Sequence, residues 1–226
     1  MKNLCKLFKP IHLAKYVSII SILAYSAAAT SSYQETIEQK FWGTLYKNGG
    51  ETYYCNKPFT SKTPLLSVSH IYSGSGIREH LQCGTNRQCL RDSAQYQTIM
   101  SDLQNIVPAN AYFEFKRKNS TFGVLDESVE ANECDIRKRH HIIEPPSKLK
   151  GDIARAIFYM RDTYKLPMLG STNDLERWST ADPPSDEELL RNNDIEIIQG
   201  TRNPYVVEVA PKTIDKPTPQ NTDPKI

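Results

Sequence analysis

Apolar residues recur every third or fourth position in several stretches of this chain, and the intervals between them are polar and rich in turn formers. Tyr33, Ile37, Phe41 and Leu45 share one helical face, with Ser31 or Ser32 placed to cap it. Ser93 opens a second helix with Tyr96, Ile99, Met100 and Leu103 on one side. A third, over about residues 150–165, has Ile153, Ile157, Met160 and Tyr164 as its buried stripe. Pro183-Pro184 and the capping box Ser185-Asp186-Glu187-Glu188 begin a fourth, which Gly200 closes. Strand-like composition or alternation is short: Thr52–Cys55, Leu65–Val68 and Tyr112–Lys116. Residues 56–76 read mostly as loop, and Pro108 argues against continuation of the second helix. Asn119-Ser120-Thr121 reads as the cap of a helical turn. The pattern predicts a mainly helical α+β domain with a few short strands.

The ends of the chain have a different character. Lys2, Lys6, Lys9 and Lys15 precede the apolar run from Tyr16 to Tyr25, and Ala27-Ala28-Ala29 follows it, the pattern of a cleaved export signal over residues 1–29. The run is about half the ~20 residues a membrane helix needs. From about Lys212 to Ile226 the chain is Pro, Thr, Asp, Asn and Lys with almost no apolar residue, which predicts disorder. One domain over 30–211 remains, expected to be a monomer without stable membrane association.

Charge and cysteine content follow from that trimming. The whole chain has 28 basic and 26 acidic side chains; without the four lysines of the leader, 24 face 26 and the net becomes −2. A polyanion partner would therefore need the cations clustered. Cys55, Cys83, Cys89 and Cys134 stay, and four cysteines in an exported chain predict two disulfides with three possible pairings. No C-x2-C pair is present to favour zinc instead.

The candidate chemistry centres on Glu79-His80. A histidine titrates near neutral pH and can deprotonate water. Glu79 is a hard oxygen ligand, and Asn119 offers a second through its amide. One or two protein oxygens suit Mg²⁺, which keeps most of its water shell. Lys116-Arg117-Lys118 supplies cations beside Asn119, and Arg91 or Arg117 could hold a phosphate oxygen. His70 reads as a surface or satisfied residue, and His140-His141 beside Arg137-Lys138-Arg139 as a solvated basic face. Neighbouring side chains of an extended strand diverge, so Glu79 and His80 can converge only at a strand end or irregular turn.

The order of motifs resembles the bacterial endonuclease I family of periplasmic and secreted, sequence-nonspecific nucleases. Glu79-His80-Leu81 stands at its E-H-V position, Asp102-Leu103-Gln104-Asn105-Ile106-Val107-Pro108 at D-L-H-N-L-x-P, and Arg117-Lys118-Asn119 at R-x-N. Glu144-Pro145-Pro146, Lys150-Gly151-Asp152-Ile153-Ala154-Arg155-Ala156 and Gln199-Gly200-Thr201-Arg202-Asn203-Pro204-Tyr205 follow in order. The resemblance implies a ββα-metal (His-Me finger) core, with His80 as general base. It further implies Glu79 and Asn119 as ligands of one Mg²⁺, for which Mn²⁺ or Ca²⁺ could substitute structurally, and Arg91 as the phosphate-stabilising residue. The implied activity is endonucleolytic hydrolysis of DNA, or of RNA, to 5′-phosphate products in the periplasm or outside the cell. Cys83 replaces a Pro and Gln104 replaces a His of the family pattern. These departures leave open an alternative, a catalytically weakened nucleic-acid-binding protein of the same fold.

Overall fold

The computed structural model describes residues 32–117 and 119–208. The expected export signal, Lys118 and the tail from Lys212 lie outside the described residues. Ser32 caps the first helix by accepting from the Glu35 amide. That helix, α1, starts at Tyr33–Glu35 and widens into a π-helical stretch at Thr36–Leu45, burying Ile37, Phe41 and Trp42. A two-stranded ladder of β1 (Gly50–Glu51) and β2 (Pro58–Phe59) follows. Next come β3 (Leu66–His70) and three short helices: α2 (Gly74–Leu81), α3 (Asn86–Asp92) and α4 (Ala94–Met100). β4 (Ile106–Asn110) returns antiparallel to β3 with Leu66 opposite Asn110 and His70 opposite Ile106. α5 (Ala111–Arg117) follows at once and packs on both strands. A small sheet of β5 (Thr121–Phe122), β7 (Ile142–Glu144) and β6 (Arg137–Arg139) leads to α6 (Lys150–Tyr164), α7 (Thr172–Ala181) and α8 (Asp186–Gln199). Among the described residues no helix is long and apolar enough to cross a membrane.

The amphipathic helices stand where the periodicity puts them, because each buries the stripe that predicts it. α6 lies at the centre, with Ile153, Ile157, Met160 and their neighbours enclosed. Gly200 ends α8 with φ of 79°, a left-handed cap that glycine adopts without strain. Gly151 permits a close approach of two helices. It sits in the first turn of α6 where a Cβ would lie 1.9 Å from the Asp182 carbonyl oxygen, so only glycine lets α7's end approach.

Several short segments differ from the sequence expectation. Tyr112–Lys116 is helical, and the strand precedes it. Asn110 decides this: its side-chain oxygen accepts from the amides of Tyr112 (2.9 Å) and Phe113 (3.2 Å), capping α5. Pro108 then lies inside β4, where its carbonyl accepts from the Tyr53 amide at 2.8 Å on the side away from β3. A missing N–H on that outer side costs no bond of the β3–β4 ladder. Thr52–Cys55 forms a turn, and Gly74–Gly76 starts α2 instead of a loop, because the Ser73 hydroxyl accepts from the Gly76 amide. Thr121-Phe122 pairs as a strand with β7 where a helical turn is expected.

The disulfides pair Cys55 with Cys134 and Cys83 with Cys89. The first closes a sequence separation of 79 residues and the second one of 6. Loop entropy alone gives about 4 kcal/mol to the long crosslink and about 2 kcal/mol to the short one. Urea unfolding of Cys134→Ser and Cys83→Ser is expected to show the larger loss for Cys134→Ser. Equal midpoints would overturn that ranking.

Candidate functional site

β3, β4 and α5 form a β-β-α unit, and its centre holds a buried arginine. α5 carries Arg117 back to the end of β3, where only 2% of the residue is exposed. Arg117 Nη2 donates to the carbonyl oxygens of His70 (3.0 Å) and Ile71 (3.2 Å). Its Nη1 donates to Ser69 Oγ and to Glu114 Oε1, each at 3.3 Å. The guanidinium also lies over the rings of Phe122 (5.0 Å) and Tyr54 (5.8 Å). Tyr54 Oη is 3.2 Å from Ser69 Oγ, which closes the cluster. Arg117 Nε and Glu114 Oε2 are buried without a partner among the described residues.

His70 terminates β3 beside this cluster. Its Nε2 contacts the Met100 carbonyl oxygen at 3.0 Å, and the Tyr33 ring lies 5.8 Å from its own. Burial lowers its pKa to about 4, and the Arg117 charge adds to that effect against the Met100 bond. The imidazole is therefore neutral and a weak base.

Glu79 and His80 stand outside the β-β-α unit. They occupy the last turn of α2, a helix packed chiefly on α3 and α4, and both side chains are exposed. Successive helical residues point about 100° apart, so the two groups diverge. Asn119 is exposed in the turn after α5, and no described hydrogen bond or ion pair joins it to α2. Arg91 is exposed at the end of α3 with its guanidinium forked onto Asp92 at 2.7 and 2.6 Å. Lys116 is exposed with its ammonium 5.3 Å from the Tyr112 ring centre. Arg117, expected to face nucleic acid, is instead enclosed. Four donor contacts on its own fold leave it no route to a phosphate.

A divalent centre is what the resemblance implies for such a unit, and the donor set there does not fit one. Ser69 and Tyr54 offer neutral hydroxyls, His70 has Nε2 engaged, and the Glu114 carboxylate faces a resident guanidinium. A second cation would sit against that positive charge in low dielectric. Glu79 and Asn119 have the right oxygen chemistry but are not gathered at one point by any described contact. Among the described residues no three His, Cys, Asp or Glu side chains cluster with metal-binding geometry.

The Asp102–Asn105 motif is scaffold. Asp102 accepts from Tyr159 and Tyr164 at 2.7 Å each, from Gln199 at 2.8 Å and from the Gln104 amide at 2.9 Å. Gln104 donates to Asn192 on α8 at 2.8 Å, so the amide that replaces a family histidine links helices. Asn105 brackets Tyr72, accepting from its amide (2.6 Å) and donating to its carbonyl (3.1 Å).

A cleft of about 760 Å³ lies elsewhere, lined by Tyr53, Asp152, Asp182, Glu188, Arg191 and Asn192 among others. None of Glu79, His80, Arg91, Lys116, Arg117 or Asn119 lines it. Asp152 and Glu188 both pair with the buried Arg155. Burial, together with the negative charge of Glu188, raises the Asp152 pKa to about 8. In the sequence this segment shows only a motif and an amphipathic helix, with the Asp152-x-x-Arg155 spacing as its one local sign.

Comparison with known proteins gives consistent matches. The Endonuclease I family model matches residues 18–210. Endonuclease-1 of Buchnera aphidicola subsp. Acyrthosiphon pisum is 32% identical over 127 residues, covering 54% of this chain and 50% of the relative. A periplasmic deoxyribonuclease of Aeromonas hydrophila is 26% identical over 161 residues, 68% of each chain. An extracellular deoxyribonuclease of the same organism is 26% identical over 149 residues, 62% of this chain and 64% of the relative. The chain spans about half the length of the Buchnera relatives it matches.

Two outcomes are expected from this geometry. Arg117→Met should cost about 3–5 kcal/mol in chemical denaturation, because Glu114 and two strand carbonyls lose a buried cationic partner; a loss under ~1 kcal/mol would contradict the enclosed-cation description. The raised Asp152 pKa favours the folded state fully below the ordinary carboxyl value of 3.8, and this contribution is lost as pH rises through about 8. Thermal midpoints should carry that downward component, and Asp152→Asn should remove it. An unchanged pH profile would discount the shift.

Proposed function

The chain belongs to the endonuclease I family, and from that premise we propose that it is an exported nuclease hydrolysing phosphodiester bonds of DNA, or of RNA. The observation that carries this reading is the family match across residues 18–210, which includes the whole described fold. Two relatives bear the names periplasmic and extracellular deoxyribonuclease, which supports DNA as substrate and export as destination. The lysine-led apolar run and Ala27-Ala28-Ala29 agree with export.

In this reading His80 is the general base. Its exposed imidazole can reach a water at a bound strand, whereas His70 is buried and weakly basic. Arg91 holds a phosphate oxygen once substrate displaces Asp92 from its fork. Mg²⁺, with Glu79 and Asn119 as its protein oxygens, and 5′-phosphate products belong to the reading as what the family resemblance implies. The described donors do not form that centre by themselves, so the reading requires these groups to assemble on bound DNA.

One observation favours a second reading. The β-β-α unit holds the guanidinium of Arg117 beside Ser69 and His70, with His80 outside it, as expected of a family member that binds nucleic acid and cleaves slowly. A plasmid-degradation assay with Mg²⁺ or EDTA separates the two. Under the nuclease reading EDTA stops cleavage, and His80→Ala lowers the rate by about 10²–10⁴, as loss of a general base does. His70→Ala, measured in parallel, should leave most of the rate in the protein that remains folded. If His70→Ala alone abolished cleavage, the base would be reassigned; no cleavage by the intact protein would favour the second reading.

A further inference from the structure

α5 has two faces of opposite character. Inward, Arg117 and Glu114 meet β3, and the Phe113 ring lies 4.6 Å from that of Tyr54. Outward, Tyr112 is 70% exposed and Phe115 64% exposed, and they are the aromatics among the exposed large apolar side chains of the described residues. Positions three apart on a helix are neighbours on its surface, so the two rings form one strip. Leu65, also exposed, adjoins the start of the helix, its carbonyl accepting from the Ala111 amide at 2.8 Å.

Cations border this strip. Lys116 lies over Tyr112, and Lys138 Nζ donates to the Lys116 carbonyl at 2.6 Å, joining β6 to the end of α5. Lys138 and Arg139 are exposed on that strand, with His140 and His141 following. The Asp126 carboxyl is held below its ordinary value by its hydrogen bonds from Ser128, with the Arg139 charge a smaller aid, and the Glu114 carboxylate turns inward to Arg117. A chain whose expected mature net charge is −2 thus gathers cations beside exposed rings. Aromatic rings flanked by lysine and arginine stack unpaired bases while the cations follow the phosphates, a combination that a paired duplex cannot use because its bases are already stacked.

We propose that the outer face of α5 together with β6 is a docking surface for an unpaired nucleic-acid strand. Tyr112 and Phe115 stack its bases, and Lys116 and Lys138 track its backbone. The proposal deepens the nuclease reading by naming single-stranded regions as the preferred substrate, and it rests on that reading for the choice of a nucleic-acid partner. Binding is measured without chemistry, so a failure of cleavage and a failure of this surface are separate results.

The test is fluorescence anisotropy of the full chain with a labelled oligothymidylate and with a hairpin duplex, in EDTA at low salt. The expected result is tighter binding of the single strand. A Tyr112→Ala/Phe115→Ala double variant should lose roughly 30-fold or more for the single strand and little for the duplex. Tyr112→Phe, which keeps the ring, should bind like the parent. Both side chains are exposed, so circular dichroism of the double variant should match the parent. Equal losses on both probes, or none, would overturn the proposal. So would tight binding to anionic lipid vesicles without oligonucleotide binding, or a change of oligomeric state in the double variant, since each would give the strip a different occupant.

Discussion

The enclosed guanidinium of Arg117 is the interaction on which the β-β-α unit depends. It bonds the carbonyls of His70, the last residue of the β3–β4 ladder, and of Ile71 after it, and so fastens the last turn of α5 to the end of β3. Buried carbonyls need donors, and a planar cation with several N–H groups meets two of them while its faces rest on Tyr54 and Phe122. Fixing that end of α5 fixes the turn carrying Asn119. It also turns Tyr112, Phe115 and Lys116 outward, because a helix that commits one face to the strands leaves the other in solvent.

The same interaction reshapes the electrostatics expected for this family. A charge that a bound metal would bring is already present as a side chain, and nearby groups respond to it. His70 is held neutral by burial with Arg117's charge adding to the effect, and Glu114 is drawn inward as a counter-ion. The neighbouring hydroxyls of Ser69 and Tyr54 complete a hydrogen-bonded cluster instead of a set of hard anionic ligands. Glu79 and His80, by contrast, sit on an exposed helical turn outside this cluster.

Around that unit the scaffold is tied by polar side chains as much as by apolar packing. Asp102 collects donors from α6 and the end of α8, and Gln104 reaches α8 through Asn192. These buried groups are satisfied by one another, which makes their mutual placement specific. The long Cys55–Cys134 crosslink adds a covalent tie between the turn after β1 and the segment before β6.

The amphipathic helices were legible in the sequence because each declares its buried face through spacing within one segment. α1, α4 and α6 follow that rule, α8 is announced instead by its Ser185 cap and its Gly200 end, and the family follows from several motifs in order. Short elements were not legible: Tyr112 to Lys116 alternates like a strand, yet the Asn110 cap and Arg117's pull on β3 make it a helix. α7 buries only Leu175 and Trp178, too few apolar positions to announce it. Which histidine belongs to the β-β-α unit was beyond the sequence altogether, since both His70 and His80 follow a polar neighbour and precede an apolar one. Only the register of β3 against β4 decides it, placing His70 opposite Ile106 and leaving His80 on α2. Arg117 looked like a phosphate contact for the same reason. Residue type states what a side chain can bind, but strand pairing and burial decide whether a partner can reach it.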